Sequence, residues 1–245
     1  TRFSRRGEKF VVTTDGVDGK PAAFDVSYVF GLTPLQQYLL PLPAGRLQAL
    51  SVAWNAEQGK WYHLYPNEKV DFRDELHWTK PSQNWNFMCA ECHSTDVEKR
   101  YDAKSDRYDT RWFQINVGCQ ACHGPGAKHV EWAEKYRDKV APDVSALAAG
   151  LPVDLAAAQS HVQIEACARC HSRRSVIAPD YEHGKRLMDT HLPALLDEDL
   201  YYVDGQIREE VYEYGSFLQS KMASKGLRCS DCHDPHTARL KGEGD

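Results

Sequence analysis

The sequence predicts a mixed α+β fold with low regular secondary structure: a small N-terminal antiparallel β region over 1–75, then a helical and loop domain over 76–245. Three observations predict it. The first 70 residues hold no Cys and alternate β-branched and aromatic runs with Asp-Gly and Pro/Gly breaks, the pattern of hairpins. From residue 89 onward one pentapeptide recurs four times. Mean hydropathy is −0.60, lean for a chain that must build its core from aliphatic side chains alone.

In chain order, the expected strands are Lys9–Thr14, Phe24–Phe30, Gln36–Leu42, Arg46–Trp54 and Lys60–Tyr65, separated by Asp15-Gly16, Asp18-Gly19, Gly31, Pro43-Ala44-Gly45 and Pro66-Asn67. Trp54, Trp61, Tyr62 and Tyr65 are expected to serve packing, as are Trp78, Trp85 and Phe87 ahead of Cys89. Gly124-Pro125-Gly126 should end the second pentapeptide abruptly. Val130, Ala133, Tyr136 and Val140 recur at helical spacing and predict a helix over Ala127–Val140. Ala141–Ala158 reads as a surface loop with one helical turn. Ser160–Ser172 and Ser216–Lys225 read as helices leading into the third and fourth pentapeptides, with short strands near Tyr201-Tyr202 and Val211–Tyr214. The tail Lys241–Asp245 is polar.

The pentapeptides are Cys89-Ala-Glu-Cys92-His93, Cys119-Gln-Ala-Cys122-His123, Cys167-Ala-Arg-Cys170-His171 and Cys229-Ser-Asp-Cys232-His233. Each is C-x-x-C-H, the attachment signature of a c-type haem. The spacing follows from the chemistry. Two thiols one turn apart add to the two vinyl groups of one porphyrin, and the next residue lies under the iron as its proximal ligand. Zinc pairs, redox dithiols and disulfides also use paired Cys, yet none requires His after every second Cys. With 11 His in 245 residues, four such placements by chance come to roughly 4 in a million. All 8 Cys fall within the motifs. The sequence therefore implies four covalently attached haems, held by Cys89, Cys92, Cys119, Cys122, Cys167, Cys170, Cys229 and Cys232, with proximal ligands His93, His123, His171 and His233. Packing against four large apolar macrocycles would supply much of the missing core.

The sixth iron position separates carrier from enzyme: filled, the iron passes electrons; open, it can bind substrate. Seven His lie outside the motifs, against three Met, so bis-His ligation is the expectation. The distal candidates are His63, His77, His129, His191 and His236, with His161 and His183 ranked below them. His236 follows proximal His233 by three residues, a reach of about 10 Å at most, too short to pass round the macrocycle edge. As a ligand it must serve a different haem. His129, six residues past His123, invites the same reading.

The formal charge of −5, without a basic stripe, argues against a nucleic-acid partner. No apolar run approaches the ~20 residues of a membrane span. The chain opens Thr1-Arg2 with no legible leader, which suggests a processed or partial chain. Haem attachment to C-x-x-C-H implies a periplasmic or extracellular location.

The stretch Asn84-Trp85-Asn86-Phe87-Met88-Cys89-Ala90-Glu91-Cys92-His93-Ser94-Thr95 resembles the multihaem c-type cytochromes that often carry C-terminal tetratricopeptide repeats. So do Cys119–His129, Tyr214–Met222, Cys229–His236, Pro34–Tyr38 and His63–Pro66. The resemblance implies that His63, His77, His129, His191 and His236 are recurrent ligand positions. Such proteins commonly continue past the CHDPH segment into a further haem motif, whereas this chain stops at Asp245. Five distal candidates for four haems are similar to the surplus in extracellular cytochrome filaments (nanowires), whose subunits polymerise with ligands crossing interfaces. The expected partners are thus redox proteins or other copies of the chain. The expected function is electron transfer through closely spaced bis-His haems. The alternatives are a redox enzyme acting on a small nitrogen or sulfur compound at one open haem, and a sensor or scaffold that uses haem structurally.

Overall fold

A computed structural model describes residues 1–242; the last three residues of the polar tail lie outside the described residues. The chain forms two compact units, Thr1–Gly118 and Cys119–Asp245. The expected boundary near residue 75 falls inside the first unit.

Unit 1 is built on two antiparallel sheets. The first joins β1 (Arg2–Arg6), β2 (Lys9–Asp15) and β3 (Pro21–Asp25) in order, and the second joins β4 (Tyr28–Phe30), β5 (Leu35–Leu42), β6 (Arg46–Asn55) and β7 (Lys60–His63). The run expected as one strand over Phe24–Phe30 breaks at Val26-Ser27 and contributes to both sheets. β1 is an additional strand: it carries three Arg and one inward residue, Phe3, so no apolar alternation marks it in the sequence.

Period-2 alternation puts neighbours on opposite faces, and β5 and β6 bury both. Leu40 and Leu50 join Val12 and Trp78 in a core shared with the first sheet, edged by Phe3, Phe24 and Val26. Leu39 and Ala49 face the other way, against Phe30, Trp85 and Ala90. Trp85 belongs to α1 (Trp85–Met88) and Ala90 to α2 (Ala90–His93), so the first C-x-x-C-H motif rests on the outer face of the second sheet. The unit closes with a small hairpin of β8 (Tyr101–Asp102) and β9 (Arg107–Tyr108).

Unit 2 has short elements and long connections. α3 (Cys119–His123) holds the second motif, and Gly124, at φ +77°, ends it. α4 (Ala127–Lys135) stops five residues before Val140. α5 (Ser160–Ala168) leads into the third motif, followed by the hairpin of β10 (Arg174–Val176) with β11 (His191–Pro193). The helix expected over Ser216–Lys225 is two: α6 (Glu213–Leu218) and α7 (Lys221–Ser224), separated where the Ser220 hydroxyl accepts from the Ala223 N–H and restarts the chain. α6 also takes in Glu213 and Tyr214, which the sequence suggested as strand; Tyr212 sits at φ +61° just before it. Tyr201 makes a single bridge with Ile207 rather than a strand. α8 (Cys229–Cys232) carries the fourth motif, and β12 (His233–Asp234) pairs with β13 (Arg239–Leu240).

Candidate haem sites

The first motif is fixed by a polar network around α1. Asn84 caps the helix, its side-chain oxygen accepting from the Phe87 N–H at 3.0 Å, while its amide donates to Gln48 Oε1 at 2.9 Å. Gln48 in turn donates to the carbonyls of Trp78 and Lys80, both at 2.9 Å. Asn86 accepts from the Leu47 N–H at 2.7 Å and donates to Thr110 at 2.9 Å. Beyond the motif, Ser94 donates to the Ile115 carbonyl and Thr95 to that of Asn116. Gln48, Asn84, Asn86, Ser94 and Thr95 are themselves buried, so each needs a hydrogen-bond partner. In the sequence, Asn84, Asn86, Ser94 and Thr95 stand out only through a family resemblance. Gln48 and Thr110 carried no signal there at all.

Cys89 packs against the Leu39 and Trp85 core. Burial pushes its thiol up to about 12, with the neighbouring Cys92 adding to the effect. Burial likewise lowers the affinity of the His93 ring for a proton, and the Phe30 ring meets it edge-on at 5.6 Å. A neutral imidazole over an apolar floor suits a haem ligand.

The other candidates in unit 1 are His63 and His77. His77 is 3% exposed, with Nε2 2.8 Å from Asp15 Oδ2 and Nδ1 2.8 Å from Thr79 Oγ1. His63 Nδ1 accepts from the Tyr65 N–H at 3.0 Å. Either ring must release a hydrogen bond to bind iron through the nitrogen now engaged.

In unit 2 three motifs converge. Gln163 on α5 accepts from the backbone N–H of Ser230, inside the fourth motif, at 3.0 Å. The thiols of Cys167 and Cys229 are hydrogen-bonded; this bond and burial raise Cys167, and the same bond lowers Cys229. His183 Nε2 lies 3.2 Å from the Ala121 carbonyl, inside the second motif. His171 is exposed and lies 3.6 Å from Glu213. His161 is exposed on the first turn of α5.

His129 Nδ1 lies 2.8 Å from the Ala149 carbonyl, and its ring stacks on Trp132 at 5.7 Å. As the donor in that bond Nδ1 carries the proton, leaving the lone pair on Nε2, the arrangement that orients imidazoles toward metals. His191 is buried, with Nδ1 2.8 Å from Thr190 Oγ1. Tyr181 meets His183 at 5.2 Å and His191 at 5.9 Å, and the Arg169 guanidinium sits 4.7 Å over its ring. Burial raises the Tyr181 hydroxyl, against the opposing charge of Arg169. His236 is near His123; burial lowers the His123 ring, helped by the His236 and His129 charges.

None of the eight Cys, all among the described residues, is in a disulfide. Among the described residues no three of His, Cys, Asp and Glu gather in one cluster. His123 Nδ1 is closed to solvent without a hydrogen-bond partner among the described residues. Thioether-forming thiols, a following imidazole and an orphaned ring nitrogen fit covalent haem. No helix among the described residues is long and apolar enough to cross a membrane.

Residues 52–124 match the family model described as cytochrome c554 and c-prime, a span that includes the first two motifs. Among solved structures, the chain is similar to the outer cell wall cytochrome OcwA, with a TM-score of 0.50 and 18% identity. That match covers 86% of this chain and 44% of the other, so the chain spans less than half of that protein's length. No curated protein matches. Residues 52–124 thus resemble a c-type cytochrome, and the likeness to the solved structure is one of fold.

Proposed function

We propose that the chain is a tetrahaem relay in which four bis-His haems pass electrons through the molecule. The observation that carries this is the convergence in unit 2. Two attachment sites 62 positions apart in sequence, Cys167 and Cys229, bring their thiols into hydrogen-bond contact. Anchors that close hold their macrocycles side by side, as a relay needs. Each haem would be held by the two thiols and the His of its motif, with distal ligands drawn from His63, His77, His129, His191 and His236. The bound group supplies the redox chemistry. The chain's residues orient the ligands, exclude water and set the surrounding charge.

The location consistent with this reading is periplasmic or extracellular. Five distal candidates stand against four motifs, and this surplus supports self-association with a ligand crossing between copies. Electron microscopy of the native protein tests it: filaments support the polymer, and discrete particles leave a relay in solution.

The competing reading is a redox enzyme with one open haem. Tyr181, flanked by Arg169, His183 and His191, favours it, since a half-buried Tyr under a cation of the third motif resembles acid–base equipment. Haem stoichiometry and spin state decide between them. The relay requires four haems per chain, all low-spin when oxidised and slow to bind carbon monoxide when reduced. One high-spin haem that binds carbon monoxide rapidly supports the enzyme.

A further inference from the structure

The imidazole rings of His123 and His236, 113 positions apart in the sequence, lie parallel to within 2°, with centres 6.1 Å apart. Four relationships could give two rings such a geometry; one is a laterally offset stack, whose centres lie about 4.5–7 Å apart, and distance separates the other three. Stacked face to face, their planes would touch at about 3.5–4.0 Å. Sharing a proton through an N–H···N bond of about 2.9 Å, their centres would lie roughly 5.1 Å apart. Bound on opposite sides of one metal atom, with bonds of about 2.0–2.1 Å and about 1.1 Å from nitrogen to ring centre, they would lie roughly 6.3 Å apart. The observed separation is closest to the third.

Two further observations agree. His123 Nδ1 is closed to solvent and, among the described residues, has no hydrogen-bond partner. The His236 side chain is 78% exposed, so the space around it is open to a macrocycle. Its backbone is nonetheless held, because the His236 N–H and the Thr237 hydroxyl both donate to Asp234, at 3.0 and 2.8 Å.

We propose that His236 is the distal partner of His123, so that these two rings form the axial pair of the haem anchored by Cys119 and Cys122. This rests on the bis-His tetrahaem reading above and assigns one ligand within it. It also ties two haems together. His233, the proximal residue of the fourth motif, and His236 are three residues apart, a span of about 10 Å at most. One short segment therefore ligates two neighbouring irons.

The test uses the intact holoprotein. First, the wild type is counted: four haems, all low-spin, uphold the underlying reading, and any other count or spin state counts against that reading rather than the pairing. Then His236→Met and His236→Ala are compared with it. The expected result is that one haem of four leaves the bis-His class. With Met it gains the far-red charge-transfer band of sulfur ligation and a higher potential; with Ala it becomes high-spin. Parallel axial rings give a rhombic ferric resonance, so the lost quarter of the low-spin intensity should be rhombic.

A second variant identifies the haem. Cys122→Ser leaves its porphyrin with one thioether and one vinyl group, which moves that haem's absorption to longer wavelength. In the double variant the ligand change must fall on this marked haem. The proposal is overturned if it falls on an unmarked one, or if His236→Met leaves four bis-His haems. It is equally overturned if His129→Met, and not His236→Met, alters the marked haem.

Discussion

His129 Nδ1 lies 2.8 Å from the carbonyl oxygen of Ala149, the residue that precedes Gly150. Gly150 sits at φ +89°, and a Cβ there would come 2.7 Å from the Lys128 carbonyl and 2.8 Å from the His129 nitrogen. Both backbone conformation and space therefore exclude a side chain. Gly150→Ala is expected to cost about 1–3 kcal/mol and to turn the His129 ring away from its present direction. Denaturant unfolding, followed together with the ferric spectrum, should show lower stability and a partial loss of low-spin signal at one haem.

His63 and His77 are distinguished by what each would lose on binding iron. His63 gives up one hydrogen bond from a backbone N–H, about 1 kcal/mol; His77 gives up contact with a carboxylate, about 1.5–3 kcal/mol. His63 is therefore the cheaper ligand. His63→Ala is expected to turn one haem high-spin with little change in stability. His77→Ala is expected to lower stability and leave the spin state unchanged. The reverse pattern in the two ferric spectra would assign the ligand to His77.

Asp15 should shape the acid limb of stability. Burial raises its carboxyl, but the hydrogen bond from His77 and those from its own backbone and Thr14 outweigh it, and the net shift is downward from 3.8. A carboxyl with a lowered value in the folded state contributes stability that is fully present above 3.8 and is lost as pH falls through the folded value. Asp15→Asn should flatten the dependence of unfolding free energy on pH below 3.8, leaving the neutral region unaffected in slope. Denaturant titrations at a series of acid pH values measure this.

Gln48→Leu removes one residue from the network that sets α1. It strands the buried Trp78 carbonyl, and it takes one partner each from the Lys80 carbonyl, which keeps the Gln83 N–H, and the Asn84 amide, which keeps a 3.4 Å contact with Asn86. The expected cost is about 2–4 kcal/mol. Asn84→Ala, which removes the cap as well, should cost a similar amount. Mass spectra of the expressed protein should show incomplete loading at Cys89 and Cys92 in both variants, with the other three motifs filled.

The four C-x-x-C-H motifs stand out in the sequence because the chemistry proposed for them dictates local spacing. The strands of unit 1 were legible from apolar runs and turn residues, whereas β1 was hidden by its three Arg and single inward Phe3. The extent of unit 1 was not readable, because the first motif joins the sheet through Leu39, Ala49 and Trp85, contacts between residues tens of positions apart. Helix ends near Lys135 and Gln219 were missed for a local reason. Apolar spacing continues past the point where the backbone tightens out of the helix at Tyr136, and past Ser220, whose side chain caps the start of a new helix. The His123 and His236 geometry depends on chain return across 113 positions, which no pattern encodes.

The two-faced burial of β5 and β6 bears on how this region can change length over evolution. A single inserted or deleted residue in either strand would send every later side chain to the opposite face, moving Leu40 beneath the first motif and Leu39 into the core between the sheets. β5 already has one irregularity, between Gln37 and Leu39, that sets this register. Relatives that keep this platform should therefore hold β5 and β6 at fixed length and confine insertions to the turns at Gly31–Pro34, Pro43–Gly45 and Ala56–Gly59.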